Sequence, residues 1–120
     1  VFIFFGIIGF MSIFEKKVEA VTNGIYTYTI LDDKATITRC STSASGAIEI
    51  PSTLDGYLVT DIGYSAFSEC TRLNSVTIPN SVTTIGSYAF KYCSGLTSVY
   101  ISSSLTYLGE RAFSNCSGLK

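Results

Sequence analysis

The stretch Leu73-Asn74-Ser75-Val76-Thr77-Ile78-Pro79-Asn80-Ser81-Val82-Thr83-Thr84-Ile85-Gly86-Ser87-Tyr88-Ala89-Phe90-Lys91-Tyr92-Cys93 decides the fold, because most of it recurs. Ile85-Gly86 follows Ile62-Gly63 and returns as Leu108-Gly109. Ala89-Phe90 has counterparts in Ala66-Phe67 and Ala112-Phe113, and Cys93 in Cys70 and Cys116. Leu73 returns as Leu96 and Leu119, Val76-Thr77-Ile78 as Val99-Tyr100-Ile101, and Val82 as Leu105. Every step is 23 residues. Self-similarity at a fixed period of this length marks a solenoid, in which each unit hides its apolar side only by stacking on the next.

Outward from this stretch, Ile48-Glu49-Ile50-Pro51 matches Val76-Thr77-Ile78-Pro79. Ile50 and Ile62 are 12 residues apart, whereas Ile78 and Ile85 are 7 apart. The earlier unit therefore carries five extra residues, Asp55-Gly56-Tyr57-Leu58-Val59, expected as a loop on one face. Within one unit, Val76 and Ile78 alternate with polar neighbours and predict a short strand with two inward residues. Pro79-Asn80-Ser81 ends it, and Val82 and Ile85 return the chain as a second extended piece. Ser87 to Tyr92 is expected to form about one and a half helical turns, with Ala89, Phe90 and Cys93 facing in. Ser94-Gly95 closes the turn. The fold class expected is α/β, with short parallel strands and short helical turns.

Before the repeats, Ile25 to Leu31 and Ala35 to Arg39 are β-branched and aromatic, and Asp32-Asp33-Lys34 is a polar turn. The pair reads as a β-hairpin covering the open end of the first coil, the alternative being a separate binding hairpin that uses Tyr26 and Tyr28. Val1 to Phe14 is apolar, followed by Glu15-Lys16-Lys17 and Val18-Glu19-Ala20. The run is short for a bilayer span and fits a secretory signal cut after Ala20, with Val18 and Ala20 at the small-residue positions. The organisation expected is a signal peptide over 1–20, a hairpin cap over 21–47 and repeats over 48–120. The 23-residue step places the next strand beyond Lys120, so the array is expected to continue.

Of 120 residues, 14% are charged and the net charge is −1, which excludes a polybasic nucleic-acid arm; no nucleic-acid partner is expected. Apolar residues at 47% supply a core, and 17 Ser and 14 Thr give a hydroxyl-rich surface. Without histidine there is no histidine triad, metal site or pH switch. No G-x-S-x-G elbow or phosphate loop is present, so neither an enzyme nor a cofactor is expected. Cys70, Cys93 and Cys116 hold equivalent places in successive coils and read as buried free thiols rather than a disulfide or zinc set, with Cys40 outside the column. Asn115-Cys116-Ser117 fits the glycosylation rule, but Cys116 belongs to the column.

The pattern Cys-x-x-Leu-x-x-Val-x-Ile-Pro-x-x-Val-x-x-Ile-Gly-x-x-Ala-Phe-x-x-Cys, from Cys70 to Cys93, resembles the bacterial BspA-like leucine-rich repeats with their 23-residue units. The lead-in Gly56-Tyr57-x-Val59 is similar to the start of such arrays. The resemblance implies a right-handed leucine-rich-repeat solenoid, secreted or displayed on the cell surface, and a role in adhesion to protein or glycan ligands such as host matrix proteins. Contact with a membrane is expected only through the signal peptide or an unseen anchor. A structural spacer and the non-catalytic part of a larger exported enzyme are the alternatives.

The candidate ligand-binding residues are those between the inward ones of each strand: Glu49, then Ser75 and Thr77, then Ser98 and Tyr100. Ser102 continues the series. Small polar groups with one tyrosine suit an extended peptide or a glycan. Tyr88 and Tyr92 belong to the opposite side and are expected to matter for packing.

Overall fold

The structure, a computed structural model, describes residues 18–120. The apolar run of the expected signal lies in 1–17, outside the described residues. Ten strands follow in chain order: β1 (Ala20–Asn23), β2 (Tyr26–Leu31), β3 (Lys34–Cys40), β4 (Gly46–Glu49), β5 (Thr53–Leu54), β6 (Tyr57–Ile62), β7 (Leu73–Ile78), β8 (Thr84–Ile85), β9 (Ser98–Ile101) and β10 (Tyr107–Leu108). Two parallel ladders run along the solenoid. One stacks β4, β7 and β9; the other stacks β3, β6, β8 and β10.

The register keeps the sequence period. Val76 pairs with Val99 and Ile78 with Ile101, while Ile62 pairs with Ile85 and Ile85 with Leu108, each 23 residues on. Between β4 and β7 the step lengthens, Ile48 pairing with Val76. The extra residues fold into the β5–β6 hairpin, whose Asp55-Gly56 turn has φ of 51° and 88°. Positive φ at both central residues is the turn that follows the twist of a two-residue hairpin, and Asp-Gly favours it. The insertion thus sits beside the coil without breaking the stack.

Inward residues form columns. Leu73, Val76, Ile78, Val82, Ile85, Ala89, Phe90, Cys93 and Leu96 are all buried. Phe67 and Phe90 stack at 4.7 Å between ring centres, and Phe90 and Phe113 at 5.1 Å. Tyr26, from β2, meets Phe67 edge-on at 6.3 Å and ends the stack. β1 and β2, then β2 and β3, pair antiparallel, and β3 continues parallel into β6. Tyr28 donates its hydroxyl to Asp55, to which Asn23 also donates at 3.0 Å, tying these strands to the inserted hairpin.

The helical turns and the α/β class are corrected by the structure: none of the described residues is in a helix. Between Gly63 and Cys70 the backbone N–H groups alternate. Ala66, Ser68 and Cys70 close three-residue turns onto Gly63, Ser65 and Phe67, while Ser65, Phe67 and Glu69 donate outward to Ser87, Ala89 and Lys91 of the next coil. Half of the donors that a helix would need internally are spent between coils. Left-handed residues recur every four positions, at Ser65 and Glu69, Tyr88 and Tyr92, and Arg111 and Asn115, and interrupt any right-handed helix. Gly95 likewise is no helix terminator. A Cβ there would stand 3.0 Å from the Leu73 carbonyl oxygen and closer still to that of Thr71.

All four cysteines are buried free thiols. Cys93 donates to the Phe67 carbonyl at 3.0 Å and Cys116 to the Phe90 carbonyl at 2.9 Å. The repeat thus uses cysteine as a small apolar side chain with one donor for an inter-coil carbonyl. Cys40 is not isolated. Its N–H donates to Ala66 as that of Phe67 does to Ala89, so its backbone takes the phenylalanine place of the preceding coil, and Cys70 lies against its carbonyl. A cysteine there leaves the ring space to Tyr26.

Burial pushes the Cys93 thiol up to about 12, and likewise the Tyr26 phenol to about 12, with Cys40 beside it adding to the shift. Cys40 is driven up by its contact with Cys70 and by burial, and the same contact displaces Cys70 downward. Groups raised in the folded state hold their protons more tightly than in the unfolded chain. The stability they contribute is therefore full below their unfolded values, near 9 for Cys93 and 10 for Tyr26, and is lost as pH climbs towards 12. The urea midpoint is expected to stay level to about pH 8.5 and fall steeply above it, with no response to reductant. A midpoint unchanged to pH 11, or one that drops on reduction, would contradict the thiol ladder.

Candidate binding face

The five residues singled out from the sequence come together on one surface. In β4, β7 and β9, inward and outward side chains alternate with the pleat. Parallel pairing sets Ala47, Ser75 and Ser98 in one row and Glu49, Thr77 and Tyr100 in the next. Neighbouring side chains within a row lie one strand spacing apart, about 4.8 Å. Glu49, Ser98 and Tyr100 are exposed, and Ser75 and Thr77 are half-buried between their neighbours. The rows form a shallow, hydroxyl-lined surface with one carboxylate at one end and one phenol at the other. Tyr100 retains 65% of its accessible surface. The side chains supply hydrogen-bond donors and acceptors and one large amphipathic ring, with nothing arranged for bond-breaking.

Ser102 departs from the expected series. It is buried, and its hydroxyl accepts from the Ser104 N–H at 3.3 Å. β9 ends at Ile101, so the pleat that would have turned Ser102 outward has stopped, and the side chain closes the following turn instead.

The second ladder presents a comparable outward row, Thr36, Asp61, Thr84 and Tyr107, that sequence reasoning passed over. Thr36 and Thr60 both donate to Asp61, at 3.4 and 3.0 Å. On this face the carboxylate and the threonine hydroxyls beside it are spent on each other. Thr83 and Thr106 donate to the carbonyls of Thr60 and Thr83. Among the described residues, no group of three acidic, cysteine or histidine side chains is placed to hold a metal ion.

A groove of about 500 Å³ opens on the third side of the coil, lined by Tyr88, Lys91, Tyr92, Arg111, Ser114 and Asn115. The repeat pattern hides it, because these positions differ from coil to coil. The Tyr-x-x-Lys-Tyr spacing was the available signal.

Comparison with known proteins gives a consistent answer. The BspA type leucine rich repeat region matches residues 37–120 in six copies. A crystal structure of a leucine-rich repeat protein from Bacteroides capillosus superposes with a TM-score of 0.76 at 41% identity, covering 84% of this chain and 78% of that one. The leucine rich repeat protein of T. pallidum superposes with a TM-score of 0.75 at 29% identity over 84% of this chain. A leucine rich cell surface protein from Faecalibacterium prausnitzii gives 0.74 at 34% identity over 88% of this chain. The chain spans 48% of the T. pallidum protein and 30% of the Faecalibacterium protein. No curated protein matches.

Proposed function

The chain belongs to the BspA-type leucine-rich-repeat family, and on that premise we propose that it binds an extended segment of a protein partner across the outward face of β4, β7 and β9. Leucine-rich repeats generally serve protein–protein interaction. The observation that carries the reading is the register, which lines up Glu49–Thr77–Tyr100 beside Ala47–Ser75–Ser98. An extended peptide laid across strands meets one such side chain per strand spacing. Ser75, Thr77 and Ser98 hydrogen-bond to it, Glu49 selects for positive charge at one end, and Tyr100 is the anchor.

The setting in which this serves is adhesion outside the cell, with a host matrix protein as partner. Its supports are the family and the cell-surface relative in Faecalibacterium. Residues 1–20 act as the export signal, and β1 and β2 as a lid on the coil that β3 opens, where the matched repeats begin. N-terminal sequencing of the secreted product should then begin at Val21. Recovery of a cytoplasmic product that still carries Phe4 and Phe5 would contradict export.

Tyr100→Ala is expected to weaken partner binding by about 1–2 kcal/mol, a five- to thirtyfold rise in Kd. The melting temperature should stay put, because the ring is mostly in solvent. The measurement is binding of the chain to immobilised collagen, laminin and fibronectin, with wild type and variant side by side. A partner held equally well by both would remove Tyr100, and with it the anchor of this face.

A further inference from the structure

The groove on the third side of the coil has a composition unlike the rest of this hydroxyl-rich surface. The Tyr88 ring is fixed by an edge-on contact with Tyr64 at 5.7 Å and 76°. Lys91 Nζ lies 5.0 Å from the ring centres of both Tyr88 and Tyr92. These contacts hold the ammonium in place without neutralising it. Across the groove, Arg111 makes only a long 3.9 Å approach through Nε to Glu110, with both side chains mostly in solvent. So loose an exposed pair leaves the guanidinium fork free for a stronger partner. Ser114 lines the groove with its backbone and Cβ side, its Oγ being buried. Asn115 adds an amide on the rim.

We propose that this groove binds an anionic sugar, a unit bearing a carboxylate or a sulfate within an acidic polysaccharide. The volume of about 500 Å³ lies within the range of small-ligand sites, about 300–1,000 Å³. The only charged side chains lining it are the two cations, so the occupant is an anion. Arg111 takes the acidic group through two parallel N–H bonds, with Lys91 adding a point charge. The tyrosine ring faces that Lys91 leaves uncovered pack against the apolar C–H face of the pyranose, and Asn115 serves its hydroxyls. An acidic peptide meets the charge requirement but brings no rigid pyranose C–H face to set against the tyrosine rings. This site is separate from the proposed protein-binding face and stands or falls independently of it.

The test is calorimetric titration of the chain with four probes at low salt: heparin oligosaccharide, oligogalacturonate, neutral dextran and polyglutamate. Heparin or oligogalacturonate should bind, and the stronger of the two identifies sulfate or carboxylate as the anion read. Lys91→Gln and Arg111→Gln should each weaken that binding at least tenfold while the thermal melt and far-ultraviolet spectrum stay as in wild type. Tyr92→Ser should weaken it without changing its salt dependence, which separates ring contact from charge. Tyr100→Ala should have no effect, so a failure of the sheet face and a failure of the groove give different results. Binding of polyglutamate or dextran as tight as that of the acidic sugars would overturn the proposal. So would failure of both acidic sugars to bind, or sugar binding that survives both cation substitutions.

Discussion

Phe90→Ala is expected to destabilise the fold by about 4 kcal/mol. Phe90 is fully buried and stacked on both faces, against Phe67 at 4.7 Å and Phe113 at 5.1 Å. Removing it opens a cavity that rings from the coils above and below line but cannot fill, because each is anchored in its own coil. A solenoid is also nearly one-dimensional, so the break uncouples the coils on either side. Urea unfolding should therefore broaden as well as shift. Phe113→Ala should cost less, since that ring is only partly covered. Tyr26→Ala tests the lid: if β2 closes the stack, losing its ring exposes Phe67 and costs about 2 kcal/mol or more. A Tyr26→Ala melt equal to wild type would make the hairpin a bystander.

Gly86→Ala is expected to cost about 3 kcal/mol, although the substitution adds a single methyl group to a half-buried position. A Cβ on Gly86 would lie 2.9 Å from both Gly63 C and Tyr64 N, and 3.2 Å from Gly63 O. All three are backbone atoms of the preceding coil, so no side chain can swing aside. The Gly86 N–H also donates to Ile62 O at 2.7 Å, and Gly109 repeats this on Ile85 O. Separating the coils to admit the methyl would stretch that bond along with the parallel pairing beside it. Gly24→Ala is the control: a Cβ there meets nothing within 4 Å, so its cost is limited to the positive φ of 62°. Equal melting temperatures for Gly86→Ala and wild type would mean that the coils are not packed as closely as described.

The period of 23 carried the fold, since it located every column and every cross-strand partner from Ile62 onward. Inward Val76, Ile78 and Ile85 were legible because a buried strand residue must be apolar, whatever lies beyond it. The third side of the coil was not legible as to its backbone. Ser87 to Tyr92 contains Ala89 and Lys91 and neither glycine nor proline, so local propensity allows a helical turn, but every second N–H donates to the next coil, which propensity does not register. Cys40 was missed for a related reason. The inserted hairpin breaks the constant step between the first coils, so counting back 23 from Phe67, whose place Cys40 takes, arrives at Ala44 instead. Of the candidate face, the alternation of strand residues identified Glu49, Ser75, Thr77, Ser98 and Tyr100. It misplaced Ser102, because the alternation was carried one residue past the end of β9.

The role given to the outward face of β4, β7 and β9 is tested most directly by tyrosine modification with and without a bound matrix protein, read by mass spectrometry of the peptides. Tyr100, Tyr64 and Tyr107 retain 65%, 70% and 55% of their accessible surface, so all three react in the free chain, each on a different side of the coil. Binding across the face should protect Tyr100 and leave Tyr64 and Tyr107 as reactive as before. Protection of Tyr64 or Tyr107 with Tyr100 still fully reactive would place the partner elsewhere and contradict the proposed function.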